Sequence, residues 1–282
     1  MNPLLDSAVP ARFVYGGVAV EMLRSRDEGF EFGPELEKLA SVDPGATVAG
    51  SVHVTATCIP EEQVGDARAI DWRWDGVGCE LRAGPTRAQV RQLSERRFAA
   101  TAVSPPTPWG MDSLLGGLSS LVINRAGGLI LHASAVSLGS EAVLFIGRSG
   151  AGKTTAANQC LGARSIAHDR AVAFPRGDRW WAAGLRGGEA CDLPPEPCSS
   201  LSLGAVFIVV ADRRVRVERL ETTTAVLRLR ESAFALNAHE EQRFVLERVA
   251  ALVATNRVFA LHTALGVNLA PVIAQHLSSG GQ

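Results

Sequence analysis

Gly147-Arg148-Ser149-Gly150-Ala151-Gly152-Lys153-Thr154-Thr155 follows directly on Ala142-Val143-Leu144-Phe145-Ile146. The apolar pentapeptide reads as a buried strand, and Thr155 to Leu161 can continue as a helix. Strand, glycine loop and helix, in that order, are the context that the Walker A pattern G-x-x-x-x-G-K-[ST] requires. Gly147, Gly150 and Gly152 let backbone N–H groups turn inward and approach phosphate oxygens. A helix N-terminus adds partial positive charge. In such a loop Lys153 reaches the β- and γ-phosphates of ATP and the Thr154 hydroxyl holds Mg²⁺, while Ser149, Ala151 and Thr155 complete the nucleotide contacts. Lys38 and Lys153 are the only lysines in a chain that otherwise uses arginine. One of these two rare residues stands at the position the pattern demands.

The 282 residues suffice for one large domain or two modest ones, and the 46% hydrophobic content supports a sizeable core. A formal net charge of -1 gives no global basic field, so neither nucleic acid nor an anionic membrane is expected as a partner. Met1 to Arg12 lacks the charged-then-apolar pattern of a secretory signal. Gly204 to Ala211 is too short to span a bilayer, and His262, Asn268 and Pro271 interrupt the longer apolar run Val258 to Ala274. A cytoplasmic protein is the expectation. Cys58, Cys79, Cys160, Cys191 and Cys198 are odd in number and contain no C-x-x-C, which fits free thiols. Cys191 and Cys198 flank a Pro-rich loop and could pair under oxidation.

Residues 11–104 read as β-rich. Strand-like stretches fall at Arg12 to Met22, Thr47 to Cys58, Ala69 to Trp74, Gly78 to Ala83 and Phe98 to Val103, with a hairpin turn at Asp75-Gly76. Thr86 to Leu93 fits either a short helix or a strand. Ser104-Pro105-Pro106-Thr107-Pro108 reads as a linker, dividing a β-rich domain, 1–108, from a phosphate-loop domain, 109–282. Leu114, Leu115, Leu118, Leu121 and Val122 follow helical spacing, ended by Gly127-Gly128. Further strands are expected at 129–136, 164–167, 171–174, 179–183, 203–210 and 257–261. Helices are expected at 227–238, 241–254 and 270–277. The apolar C-terminal segment serves either the core or a contact between subunits, so a homo-oligomer stays open.

A phosphate loop supplies binding; transfer also needs a carboxylate for the metal and a group that takes the acceptor's proton. Asp169 follows the strand after the loop helix, and His132 stands on the strand before the loop. Leu131-His132-Ala133-Ser134, the loop itself and Ala167-His168-Asp169-Arg170 resemble HPr kinase/phosphorylase and its relatives, which share a nucleotide-binding core with phosphoenolpyruvate carboxykinase. The resemblance spans about residues 125–275 and is closest to the smaller HPr-kinase-related proteins, some of which phosphorylate biosynthetic precursor peptides. The N-terminal part resembles theirs only in being β-rich. The resemblance implies that Lys153 and Thr154 hold phosphates and metal. It also implies that Asp169 is the metal-side acid of the family's Asp-Asp pair, and that His132 lies near the transferred phosphate. His168 stands where the family has its first aspartate, the one implicated in proton transfer; a neutral imidazole can serve as base there, and the same departure is compatible with weakened chemistry. Arg186 and Glu189 fall in the loop that lies near the acceptor in relatives.

Competing motifs are weaker. Leu277-Ser278-Ser279-Gly280-Gly281-Gln282 is similar to an ABC-transporter signature but has no helix after it. Phe207-Ile208-Val209-Val210-Ala211-Asp212 looks like a Walker B strand, which in a generic ATPase would put Mg²⁺ at Asp212. A Ras-like GTPase needs a lysine that neither Lys38 nor Lys153 provides, and no His-Arg-Asp or Asp-Phe-Gly of a protein kinase occurs. Trp72 and Trp74 alternate along a strand, and the arginines from Arg213 to Arg219 read as a solvated face. The expectation is therefore an α/β protein, a β-rich domain followed by a phosphate-loop domain, that uses ATP and Mg²⁺ to phosphorylate a hydroxyl. The acceptor class expected is a serine of a peptide or protein. A nucleotide-binding module acting through a partner and a small-molecule kinase are the alternatives.

Overall fold

The computed structural model describes residues 11–24, 48–58, 70–74, 78–105, 107–185, 200–234 and 239–278. The chain is mixed α/β and strand-rich, with two sheets in two compact units that divide between Ala126 and Gly127. Among the described residues no helix is long and apolar enough to cross a membrane. The stretch holding Arg186, Glu189, Cys191 and Cys198 lies outside the described residues, as do Lys38 and the turn at Asp75-Gly76.

In the first unit seven strands form one sheet: β1 (Ala11–Tyr15), β2 (Val18–Arg24), β3 (Gly50–Cys58), β4 (Ile70–Trp74), β5 (Gly78–Ala83), β6 (Thr86–Ser94) and β7 (Arg97–Ser104). Their order is β1-β2-β3-β7-β6-β5-β4. The stretch that fitted helix or strand is β6: Thr86, Ala88 and Val90 are buried while Arg87, Gln89 and Arg91 are exposed. That period of two is incompatible with a helical face. Helix α1 (Pro108–Arg125) starts where Thr107 accepts a bond from the Gly110 N–H at 3.1 Å, with proline in the first turn. Its Leu114, Leu115, Leu118 and Leu121 are fully buried, each contributing about 1.5–3 kcal/mol of apolar burial. Gly117 permits close approach to the sheet, since a Cβ there would lie 2.8 Å from the Ala83 methyl. The first compact unit thus takes in α1.

The second unit carries β8 (Leu129–Leu138), β9 (Glu141–Ile146), α2 (Lys153–Asn158), β10 (Arg164–Ala167), β11 (Arg170–Arg176), β12 (Arg179–Gly184), β13 (Leu201–Ala211), β14 (Arg216–Arg219), α3 (Thr222–Ser232), α4 (His239–Thr255), β15 (Arg257–Thr263) and α5 (Ala270–Ser278). β9 runs parallel to β13 and antiparallel to β8, and β15 runs parallel to β13 on its other side. Pairings of β8 with β11, β11 with β12 and β12 with β13 complete a closed circuit. β9 is buried on both faces, which explains its unbroken apolar run. Val143 and Phe145 pack with Ala156, Cys160, Leu269 and Ile273; Leu144 and Ile146 pack with Leu229, Val249 and Leu252.

Two elements differ from expectation. The helix expected at 227–238 is α3, Thr222–Ser232: it starts on a run of three threonines and stops where Ala233 bridges to Leu131. That tertiary pairing overrides propensity at its end. β14 lies within the arginine run read as a solvated face; only Val217 is apolar among its four residues, and it pairs along the edge of β15.

Candidate functional site

The glycine-rich loop leaves β9 at Ile146, level with Ile208 of β13. Gly147, Gly150 and Gly152 all adopt positive φ, at 154°, 77° and 92°. At Gly147 the space is also closed, because a Cβ would meet the Ala151 methyl at 3.1 Å and the Val209 carbonyl at 3.3 Å. Glycine is therefore required there on two counts. Arg148, Ser149 and Gly150 are exposed, and so are Thr154 and Thr155 at the start of α2.

Lys153 turns inward. Its side chain is buried, 7% exposed, and Nζ donates to the carbonyls of Gly147 at 3.1 Å and Arg148 at 3.2 Å. Burial lowers its pKa, and the nearby Asp169 carboxylate opposes that shift. Among the described residues no carboxylate is in hydrogen-bond contact with the ammonium, which sits inside the loop held by two carbonyls that cannot neutralise it. An anion at the loop would supply that missing charge.

β8 assembles the other groups. His132, Ser134 and Val136 share one face of this strand, and Val136 packs against α2 residues Ala156 and Ala157. The Ser134 hydroxyl lies 3.4 Å from the Thr154 hydroxyl and donates to the His168 carbonyl at 2.6 Å. The Ala133 N–H donates to the Asp169 carbonyl at 3.0 Å. These bonds fix the bend between β10 and β11. His132 Nδ1 lies 3.0 Å from Asp169 Oδ1, with side-chain exposures of 33% and 48%. The His132 ring meets Phe234 edge-on at 6.4 Å, and the Arg170 guanidinium lies 5.7 Å from the same phenyl ring.

The structure therefore brings together Lys153, Thr154, Asp169 and His132. His168 contributes its carbonyl to the assembly, while its imidazole Nδ1 lies 3.4 Å from the Ser165 hydroxyl. Burial lowers the His168 pKa, which keeps the ring neutral near pH 7. Asp212, weighed as a Walker B acid, is committed elsewhere: Arg216 Nη1 is 3.0 Å and His262 Nδ1 3.1 Å from Oδ2, and the Arg213 N–H donates to Oδ1 at 2.6 Å. Ser134 is a site residue that sequence reasoning did not single out, since a serine in an apolar strand carries no spacing signal. A concavity of about 250 Å³ lined by Glu141, Arg179, Ser202 and Arg257 sits at the opposite, starting ends of β9, β13 and β15 and contains none of these groups.

No family model matches this chain, and no curated protein matches it. Among solved structures, the HPr(Ser) kinase/phosphatase from Coxiella burnetii is similar with a TM-score of 0.30 and 10% identity, over 52% of this chain and 87% of that one. Similarity at that level bears on neither the site nor the activity.

Proposed function

We propose that the second unit binds ATP at the glycine-rich loop and transfers its terminal phosphoryl group to a hydroxyl. The observation that carries this reading is the inward Lys153 ammonium, held by the Gly147 and Arg148 carbonyls and facing Asp169. A lysine that served only the fold would be expected to find a carboxylate partner or to reach solvent. α2 has six residues, so Lys153 and the loop N–H groups, rather than a long helix dipole, would carry most of the attraction for phosphate.

The donor set suits Mg²⁺. The exposed Thr154 hydroxyl and the Asp169 carboxylate are hard oxygen ligands, and no cluster of three or more His, Cys, Asp or Glu occurs among the described residues. Such a sparse set fits an ion carried largely by phosphates and water rather than by a protein cage. Bound there, Mg²⁺ would offset the negative charge of the phosphates. In the His132–Asp169 pair, Nδ1–H donates to the carboxylate, leaving Nε2 as the basic nitrogen. We assign to His132 the role of accepting the proton from the attacking hydroxyl, with Asp169 fixing its tautomer through Oδ1; the Asp169 carboxylate would also help hold the metal. Serine on a peptide or protein is the acceptor class implied by the sequence resemblance.

Transfer from γ-labelled ATP to serine peptides, with nucleotide binding followed in parallel, tests these roles. His132→Ala and Asp169→Asn should abolish transfer while ATP still binds, and His168→Ala should retain most of it. Loss of transfer in His168→Ala with retention in His132→Ala would exchange the two roles. A second reading is favoured by one observation: among the described residues the site carries a single carboxylate, Asp169, where the resembled family has two. Under that reading the unit binds nucleotide and acts through a partner, and wild type would bind ATP without labelling any peptide.

A further inference from the structure

Ser134 is fully buried in the middle of β8, and its one hydroxyl proton can serve only one of its two neighbours. The His168 carbonyl can only accept, and at 2.6 Å it takes the proton. At the 3.4 Å contact Ser134 is therefore the acceptor, and the Thr154 hydroxyl is the donor. In that contact the Thr154 hydrogen points towards β8, which leaves its lone pairs to face away from it. The same oxygen anchors the backbone beside Asp169. Ser134 thus ties the two oxygen ligands of the proposed cation to a single buried atom.

Resting on the nucleotide reading above, we infer that Ser134 is the positioning residue for the divalent cation, aiming the Thr154 lone pairs and holding the His168–Asp169 bend at a fixed separation from them. It touches neither nucleotide nor acceptor. Its contribution appears in the part of nucleotide affinity that depends on Mg²⁺, because the loop and Lys153 attract phosphate without it.

The test is calorimetric binding of a non-hydrolysable ATP analogue, with Mg²⁺ and with EDTA, to wild type, Ser134→Ala, Thr154→Val and the double variant. Ser134→Ala should leave the affinity in EDTA within about twofold of wild type and reduce the gain on adding Mg²⁺ by about three- to tenfold, the upper range of one neutral hydrogen bond. The double variant should lose less than the sum of the two single losses, because part of the Ser134 effect runs through Thr154. Ser134→Cys, which keeps a weak donor and acceptor, should recover part of the Mg²⁺ gain. A full Mg²⁺ gain in Ser134→Ala, losses that add in the double variant, or an equal loss in EDTA would each overturn the assignment.

Amide hydrogen exchange on the ligand-free protein provides a second arm that needs no nucleotide. Releasing the bend should accelerate exchange at Ala133, whose N–H donates to the Asp169 carbonyl, without changing exchange at the buried strand residues Phe145 and Phe207. Unchanged exchange at Ala133 would show that Ser134 does not hold the bend. If wild type bound no nucleotide, the nucleotide reading itself would fall, and the exchange result would still decide whether Ser134 anchors this turn.

Discussion

Replacing Lys153 with methionine separates its cost to the fold from its value to a ligand. Methionine keeps most of the apolar stem and removes the ammonium. In the free protein the effects nearly offset: a buried charge whose pKa is lowered by desolvation is relieved, while the Gly147 and Arg148 carbonyls lose a donor at 3.1 and 3.2 Å. The melting temperature without ligand should therefore change little. With ATP present the effects no longer offset. Losing a charge-assisted contact of about 3 kcal/mol weakens binding by roughly a hundredfold. At a concentration of about 100 times the wild-type dissociation constant, ligand adds roughly 2.7 kcal/mol to wild type but only about 0.4 kcal/mol to the variant. At about 2–4 °C per kcal/mol, wild type should rise by roughly 5–11 °C and Lys153→Met by about 1 °C. Differential scanning fluorimetry with and without MgATP reads both numbers. Equal shifts in the two proteins would remove Lys153 from the binding site, and no shift in wild type would remove the nucleotide.

Three further outcomes follow from geometry away from the loop. Gly184→Ala should destabilise by about 1–3 kcal/mol in urea unfolding, because its Cβ would run into the Ile166 carbonyl in the strand that leads to His168; a neutral result would mean that β10 can yield. Arg257→Ala should cost a similar amount, about 1.5–3 kcal/mol, because its guanidinium donates to the carbonyls of His276 and Leu277 at 2.6 and 2.8 Å; unchanged exchange at the end of α5 would contradict this. Burial lowers the His168 pKa, so the unfolded chain binds its proton first as pH falls. Its contribution is then intact above the unfolded value near 6.5 and is lost as pH drops from there towards the lower folded value. His168→Asn should flatten that part of a stability–pH profile, and an unaltered profile would show that the ring titrates freely.

The site was legible where chemistry dictates sequence locally. The three glycines, Lys153 and Thr154 stand within eight residues of one another, and a strand buried on both faces must be apolar throughout, so β9 and its loop could be read directly. β6 became unambiguous only through the burial of alternate residues, since Thr86 to Leu93 has no turn signal inside it. What escaped depends on distant partners. Ser134 meets Thr154 and His168 across 20 and 34 residues of chain, and Asp212 meets His262 across 50. None of these three pairings leaves a spacing that a linear reading can detect. β14 escaped because an exposed edge strand needs little apolar character, and α3 was placed late because its first turn consists of threonines, which favour helices poorly.

The inward Lys153 also has a consequence for chemical labelling. The chain offers two lysine amines, Lys38 and Lys153. Ordinary acylating reagents need an accessible, unprotonated amine, and the Lys153 ammonium is shielded behind the loop carbonyls. A reagent that mimics the nucleotide and carries an acyl phosphate would instead be delivered to Lys153. One modified peptide, protected by excess ATP and unaffected by general amine blockers, would then report occupancy of this loop even in an unpurified extract.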